Sequence, residues 1–292
     1  MMTTVLIEPQ QPSSNNNKMV VQGMMATQSS IPVRSNWFQV ARPVANPRIR
    51  LFCFSYAGGN AATYRDWHTR LPEGVEVCSV QLPGRGNRFK EKAITHLDTL
   101  LNSLLPEIEP YTATPYAFFG HSMGAQVAFE LARKLRDKGC PEPKCLIVSG
   151  RRAPQRHAKS KPLYTLPETE FREEIRRLNG TPEEALNNPE LMDLVSPILR
   201  ADFQLIETWM YQPSDPISAP VMALGGVKDS QVSMDDLEEW SKVTKGPFCL
   251  ELFSGDHFFI NQVTDSLLST VSNAIESVLG GAEGLLANRK TS

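Results

Sequence analysis

An α/β fold with a mostly parallel sheet is predicted by three features of the chain. Short apolar runs recur from Arg48 onward, each ending near Gly, Pro or polar residues. The runs are nearly continuous rather than alternating, as expected of strands buried on both faces. Helical patterns separate them, and such alternation packs as helices on both faces of one sheet.

The runs are "RIRLFCF" (48–54), "VEVCSVQL" (75–82), "YAFFG" (116–120), "KCLIVSG" (144–150), "APVMALGG" (219–226) and "FCLELFSG" (248–255). After the third, Ala128, Leu131, Ala132 and Leu135 fall at i, i+3, i+4 and i+7, and Gly139 marks a stop behind a basic last turn. Near the end, Val263, Leu267, Val271, Ile275 and Val278 make another stripe, closed by Gly280 and Gly281. The interval 151–218 breaks the alternation, with no convincing strand. A structureless loop of that length is improbable. Phe171, Ile175 and Leu178 supply one helical stripe, and Leu191, Leu194, Val195, Ile198 and Leu199 a second. A helical insertion at about 155–212 is therefore expected. It serves either as a lid over a site or as extra helices packed on the sheet.

With 292 residues, 41% of them hydrophobic, the chain can bury a sizeable core. Its net charge of -2 makes no electrostatic case for nucleic acid or an anionic membrane. Residues 1–36, with "QQPSSNNNK", read as a disordered leader, 37–281 as the folded domain and 282–292 as a tail. The leader lacks the basic start and apolar core of a secretory signal. No run reaches the ~18 apolar residues of a membrane span. Cys53, Cys78, Cys140, Cys145 and Cys249 are odd in number and scattered, which reads as mostly buried thiols in a reducing cytoplasm. "CPEPKC" has no second Cys/His pair to complete a metal site.

In "GHSMG", Ser122 stands between Gly120 and Gly124 where a strand turns into a helix. The pattern is that of a nucleophile elbow, in which tight backbone approach excludes side chains. Alone, it leaves open an ordinary serine in a tight turn. Ser-His-acid enzymes on such sheets carry the acid and then the histidine later in the chain. His257 in "SGDHFFI" follows the last run, where a general base belongs, and Asp229 in "GGVKDSQVS" follows the run before it. The other histidines fit less well: His68 in a helix, His96 in a polar segment, His157 beside the insertion and His121 packed under the turn. Asp215 precedes its strand, Asp235 is helical, and Asp256 adjoins His257 too closely to bond its ring. An oxyanion needs donors. The N–H of Met123 is one, and the small-residue loop "SYAGGN" offers that of Ala57. "AGGN" matches neither phosphate-binding fingerprint.

Together, "FCFSYAGGN", "VQLPGRGNR", "FFGHSMGAQVAFELA", "GVKDSQVS" and "SGDHFFI" resemble the stand-alone type II thioesterases of polyketide and nonribosomal peptide synthesis. That family includes a stand-alone thioesterase of animal fatty-acid synthesis. The resemblance runs from about Trp37 to about Leu279, and "LPGRG" and "DHFF" are its most specific parts. It departs at Ser55, where the family has proline, and at Ser230, which follows Asp229 in place of proline. The resemblance implies an α/β-hydrolase fold with a helical lid. It also implies Ser122, Asp229 and His257 as the catalytic triad and Ala57 and Met123 as oxyanion donors. The implied substrate is an acyl thioester on the phosphopantetheine of an acyl or peptidyl carrier protein domain, with no metal or redox cofactor. Editing of misloaded carriers is the implied role, and sequence alone does not separate it from product release. A carboxylesterase or lipase and a non-catalytic interaction protein are the rival readings. Nothing in the chain demands more than a monomer. Arg151, Arg152, Arg156, Lys159 and Lys161 form a basic run that would suit an acidic carrier.

Overall fold

The computed structural model describes residues 33, 35–156 and 161–280. These hold a seven-stranded sheet of β1 (Phe38–Gln39), β2 (Ile49–Phe54), β3 (Val75–Val80), β4 (Tyr116–His121), β5 (Leu146–Ser149), β6 (Val221–Gly226) and β7 (Phe248–Phe253). The strand order is β1-β3-β2-β4-β5-β6-β7. β1 runs antiparallel to β3 and every other pairing is parallel. The six apolar runs are thus β2 to β7. The edge strand β1 was not expected, because two residues are too few to show a period. It is held by the pairing of Phe38 with Val80 and by the Phe38 ring, 5.2 Å from that of Phe52.

Both faces of the sheet are buried, which explains the continuous apolar runs. Along β2, Leu51 and Cys53 join Phe119, Ile147 and Leu224 in one core, while Phe52 and Phe54 join Phe118, Val148 and Ala223 in the other. The second of these is covered by α1 (Leu97–Ile108) and α2 (Met123–Asp137), and the first by α7 (Thr264–Leu279) with Tyr64 and Trp67. One ion pair interrupts the apolar pattern. Arg50 Nε donates to Glu76 Oε2 at 2.7 Å between register partners of β2 and β3, both fully buried.

The interval after β5 is helical, with α3 (Glu168–Leu178), α4 (Glu183–Leu186) and α5 (Pro189–Glu207). Phe171, Ile175, Leu186, Met192, Leu199 and Phe203 make a separate small core there. The second expected stripe is corrected in its phase. Leu199 is buried as expected, but Leu191 and Leu194 are 39% and 54% exposed, and α5 turns Met192, Ser196 and Phe203 inward in their place. A short helix α6 (Met234–Glu238) lies between β6 and β7.

The basic run is partly engaged, with Arg156 and Lys161 exposed. Arg151 is turned onto Gln126 Oε1, and burial, with Arg152 beside it, pushes its guanidinium down to about 10. Arg152 donates to the carbonyl of Gln231, and Arg156 pairs with Asp236. The strand end and the β6–β7 segment already use these cations. Lys159 and His157 lie outside the described residues, as do the expected leader, apart from Val33, Ser35 and Asn36, and the expected tail. Among the described residues no helix is long and apolar enough to cross a membrane.

Candidate active site

The chain reverses direction across the sheet after β3, so β2 and β4 are neighbours and the crevice at their carboxyl ends is a topological switch point. Ser122 sits at this point, directly after β4. Its backbone has φ 53° and ψ -113°, a conformation that L-residues rarely adopt and that stores strain. Two glycines make the turn possible. A Cβ on Gly120 would lie 2.3 Å from the carbonyl oxygen of Gly124, and one on Gly124 would lie 2.0 Å from that of Phe54. Ser122 N–H donates to the carbonyl of Ser149 on β5, fixing the turn to the next strand.

Ser122 Oγ donates to His257 Nε2 at 3.0 Å, and His257 Nδ1 donates to Asp229 Oδ2 at 2.8 Å. The Asp229 side chain is fully buried, and that of His257 nearly so. Asp229 Oδ1 accepts the backbone N–H groups of Gln231 and Val232, which fixes the carboxylate. The loops after β6 and β7 are bonded together, Val227 N–H to Phe253 O and Lys228 N–H to Gly255 O. This lacing holds Asp229 against His257. The structure therefore brings Ser122, Asp229 and His257 into one hydrogen-bonded chain.

The residues set aside lie elsewhere or do other work. His68 is in a 3-10 turn and His96 precedes α1. His121 is fully buried, shares a hydrogen bond with Ser149 Oγ, and lies 5.2 Å from the His257 ring between centroids. Burial, with His257 adjacent, holds its pKa well below the usual histidine value. Asp235 lies in α6, and Asp215 precedes β6. Asp256 accepts the N–H of Phe258 and the side-chain amide of Asn179. Cys140 and Cys145 belong to no cluster of metal-ligating side chains among the described residues.

Ala57, in the loop after β2, borders the space beside Ser122, and Met123 takes the first position of α2, directly after Ser122. A cavity of about 40 Å³ lies beside Ser122 and His257, walled by Tyr56, Ile175, Leu199, Phe203 and Phe258. That is room for roughly three water-sized spheres. Larger hollows beside Arg70 and beside Trp37 are polar and touch none of these residues.

Sequence reasoning missed one buried group. Asp202 on α5 is 0% exposed and pairs with Arg85, the arginine of "LPGRG". Its signal was an aspartate adjoining Phe203 and three residues from Leu199, on the inward face of an amphipathic helix.

A buried serine–histidine–aspartate chain on a mostly parallel sheet, beside a helical insertion after β5, is an arrangement of the α/β-hydrolase class. Residues 49–275 match the family model described as "Thioesterase domain". The chain is 40% identical to the gramicidin S biosynthesis protein GrsT of Aneurinibacillus migulanus, over 84% of this chain and 96% of GrsT. It is 37% identical to the thioesterase PikA5 of Streptomyces venezuelae, over 88% of this chain and 91% of PikA5. The solved type II thioesterase BorB from the borrelidin biosynthetic cluster superposes with a TM-score of 0.75 at 35% identity, over 82% of this chain and 97% of BorB. The chain belongs to the thioesterase domain family and is a hydrolase acting on thioesters. The family expectation drawn from its motifs is borne out.

Proposed function

We propose that this protein hydrolyses acyl thioesters from the phosphopantetheine arms of carrier protein domains in a polyketide or nonribosomal peptide pathway, clearing misloaded arms. The observation that carries this reading is the hydrogen-bonded chain from Ser122 through His257 to Asp229, set beside a small lidded cavity. The names of its relatives support the pathway, since GrsT is a gramicidin S biosynthesis protein and BorB comes from a biosynthetic cluster.

In this reading Ser122 Oγ attacks the thioester carbonyl while His257 Nε2 takes its proton. Asp229 holds the ring in the tautomer with Nδ1–H and stabilises the imidazolium. The oxyanion is met by the N–H groups of Ala57 and Met123. His257 then protonates the departing thiol, and in the second half activates water to release the acid and restore Ser122. Every proton and bond in the sequence is accounted for by these groups and water.

A small cavity favours clearance of short acyl groups over release of a long finished product. The test is mass spectrometry of carrier proteins loaded with short, long and peptidyl groups, incubated with wild type and Ser122→Ala. Loss of short acyl groups with wild type alone is expected. A marked preference for oxygen esters, or equal clearance by the variant, would overturn the reading. Size-exclusion chromatography with light scattering tests the accompanying expectation of a monomer.

A further inference from the structure

The loop that carries Ala57 is held from the lid. The N–H of Gly58 donates to Asp202 Oδ2 at 2.7 Å, across 144 positions of sequence. Asp202 is in turn gripped by both terminal nitrogens of Arg85, at 2.5 Å to Oδ2 and 2.7 Å to Oδ1. Arg85 Nη1 also reaches the carbonyl of Gly59 at 3.4 Å. Arg85 is 4% exposed, so this ion pair is sealed from water. Leu199, one turn before Asp202 on α5, packs on the same loop. A Cβ on Gly58 would lie 2.6 Å from Leu199 Cδ2, and Gly58 has a φ of +78°. Leu199 and Phe203 wall the cavity beside Ser122, so one face of α5 shapes the acyl space and anchors the neighbouring loop.

We propose that Arg85 and Asp202 are positioning residues that make the oxyanion hole conditional on the seating of the lid. With α5 seated, the carboxylate fixes Gly58 N–H and so the direction of the preceding amide, that of Ala57. When α5 lifts, the loop loses its acceptor and the guanidinium loses its partner, so the loop relaxes away from the position the oxyanion needs. Substrate that lets α5 close therefore completes its own hole. The inference rests on the triad reading for Ser122 and His257, and extends it to residues that touch no reacting atom.

A bidentate buried pair is a costly means of merely holding a loop. Apolar replacements of such pairs are often neutral or stabilising, whereas removing one partner alone is strongly destabilising. That asymmetry supplies the experiment. The full-length double variant Arg85→Met/Asp202→Leu removes the pair without stranding a charge, and the acceptor variant Arg85→Met/Asp202→Asn does the same while keeping an oxygen acceptor for Gly58. Each is assayed on a short acyl-pantetheine thioester and on an aryl ester, and titrated with a trifluoromethyl ketone, whose adduct with Ser122 places an oxyanion in the hole.

The double variant is expected to keep a cooperative thermal transition and to lose roughly 30- to 100-fold in kcat with KM changed less than about threefold. Ketone affinity should fall by about the same factor as kcat, and the acceptor variant should recover most of both. A folded double variant with wild-type kcat and ketone affinity would overturn the proposal, as would a kcat loss that leaves ketone affinity unchanged. So would an acceptor variant as slow as the double variant that carries leucine at 202. If wild type cleaved only the aryl ester, the thioesterase reading would fall, while the same series on that ester would still decide the role of the pair.

Discussion

Asn179, in the left-handed turn that ends α3, donates from its side chain to Asp256 Oδ2 at 2.9 Å, and Asp256 adjoins His257. The neighbouring Gly180 lies so close to Phe258 that a Cβ would come within 2.2 Å of the ring. The helices after β5 thus touch the loop of His257 as well as the loop of Ala57. Asn179→Gly keeps the positive φ and loses only the side-chain bond, so stability should change by about 1 kcal/mol or less. Looser closure should raise KM for acyl thioesters about two- to fivefold with kcat nearly unchanged. Steady-state kinetics beside urea denaturation checks both.

The strained backbone of Ser122 predicts a trade between activity and stability. Ser122→Gly removes the proposed nucleophile and relieves φ 53°, ψ -113°. Hydrolysis should be lost, while unfolding free energy should rise by about 1 kcal/mol, strain relief of ~1–3 kcal/mol being partly offset by the entropy of glycine. A variant less stable than wild type would show that the turn is not strained.

Gly124→Ala should be severe. Its Cβ would meet two backbone oxygens, of Phe54 at 2.0 Å and Ser55 at 2.8 Å, and backbone cannot swing aside as a side chain can. A loss of about 3 kcal/mol or more is expected in urea denaturation.

His121 predicts a pH dependence of stability. Its pKa is depressed by burial first and by His257 second, so the folded state resists the proton. An unfolded chain takes it up below about pH 6.5, so the unfolded state binds more protons there and stability falls as pH drops. Lowering the pH from about 7 to about 5 should destabilise wild type more steeply than His121→Asn, which has no titrating ring. Denaturant melts at a series of pH values measure the two slopes.

Leu199→Ala should enlarge the cavity where α5 closes it. The ratio of kcat/KM for medium-length over short acyl-pantetheine substrates should rise about tenfold, as a few methylenes in an apolar pocket allow. An unchanged ratio would show that the chain leaves the site by another path.

Six of the seven strands were legible because burial on both faces makes a strand largely apolar, as in β4 and, Arg50 apart, β2. Ser122, Asp229 and His257 were legible because each follows such a run at a strand's carboxyl end, and the elbow's glycines are dictated by backbone contacts below 2.5 Å. These are local consequences of period and of backbone crowding, so the chain by itself determined them. The pairing of Arg85 with Asp202 spans 117 positions, and no periodicity relates residues so far apart. The phase of α5, which turns Leu194 outward and Asp202 inward, depends on which neighbours it meets. So does Arg151, whose charge reads as surface until Gln126 is seen to take it in. Only tertiary structure decided these, because the free energy of a buried charge is set by its partner in space.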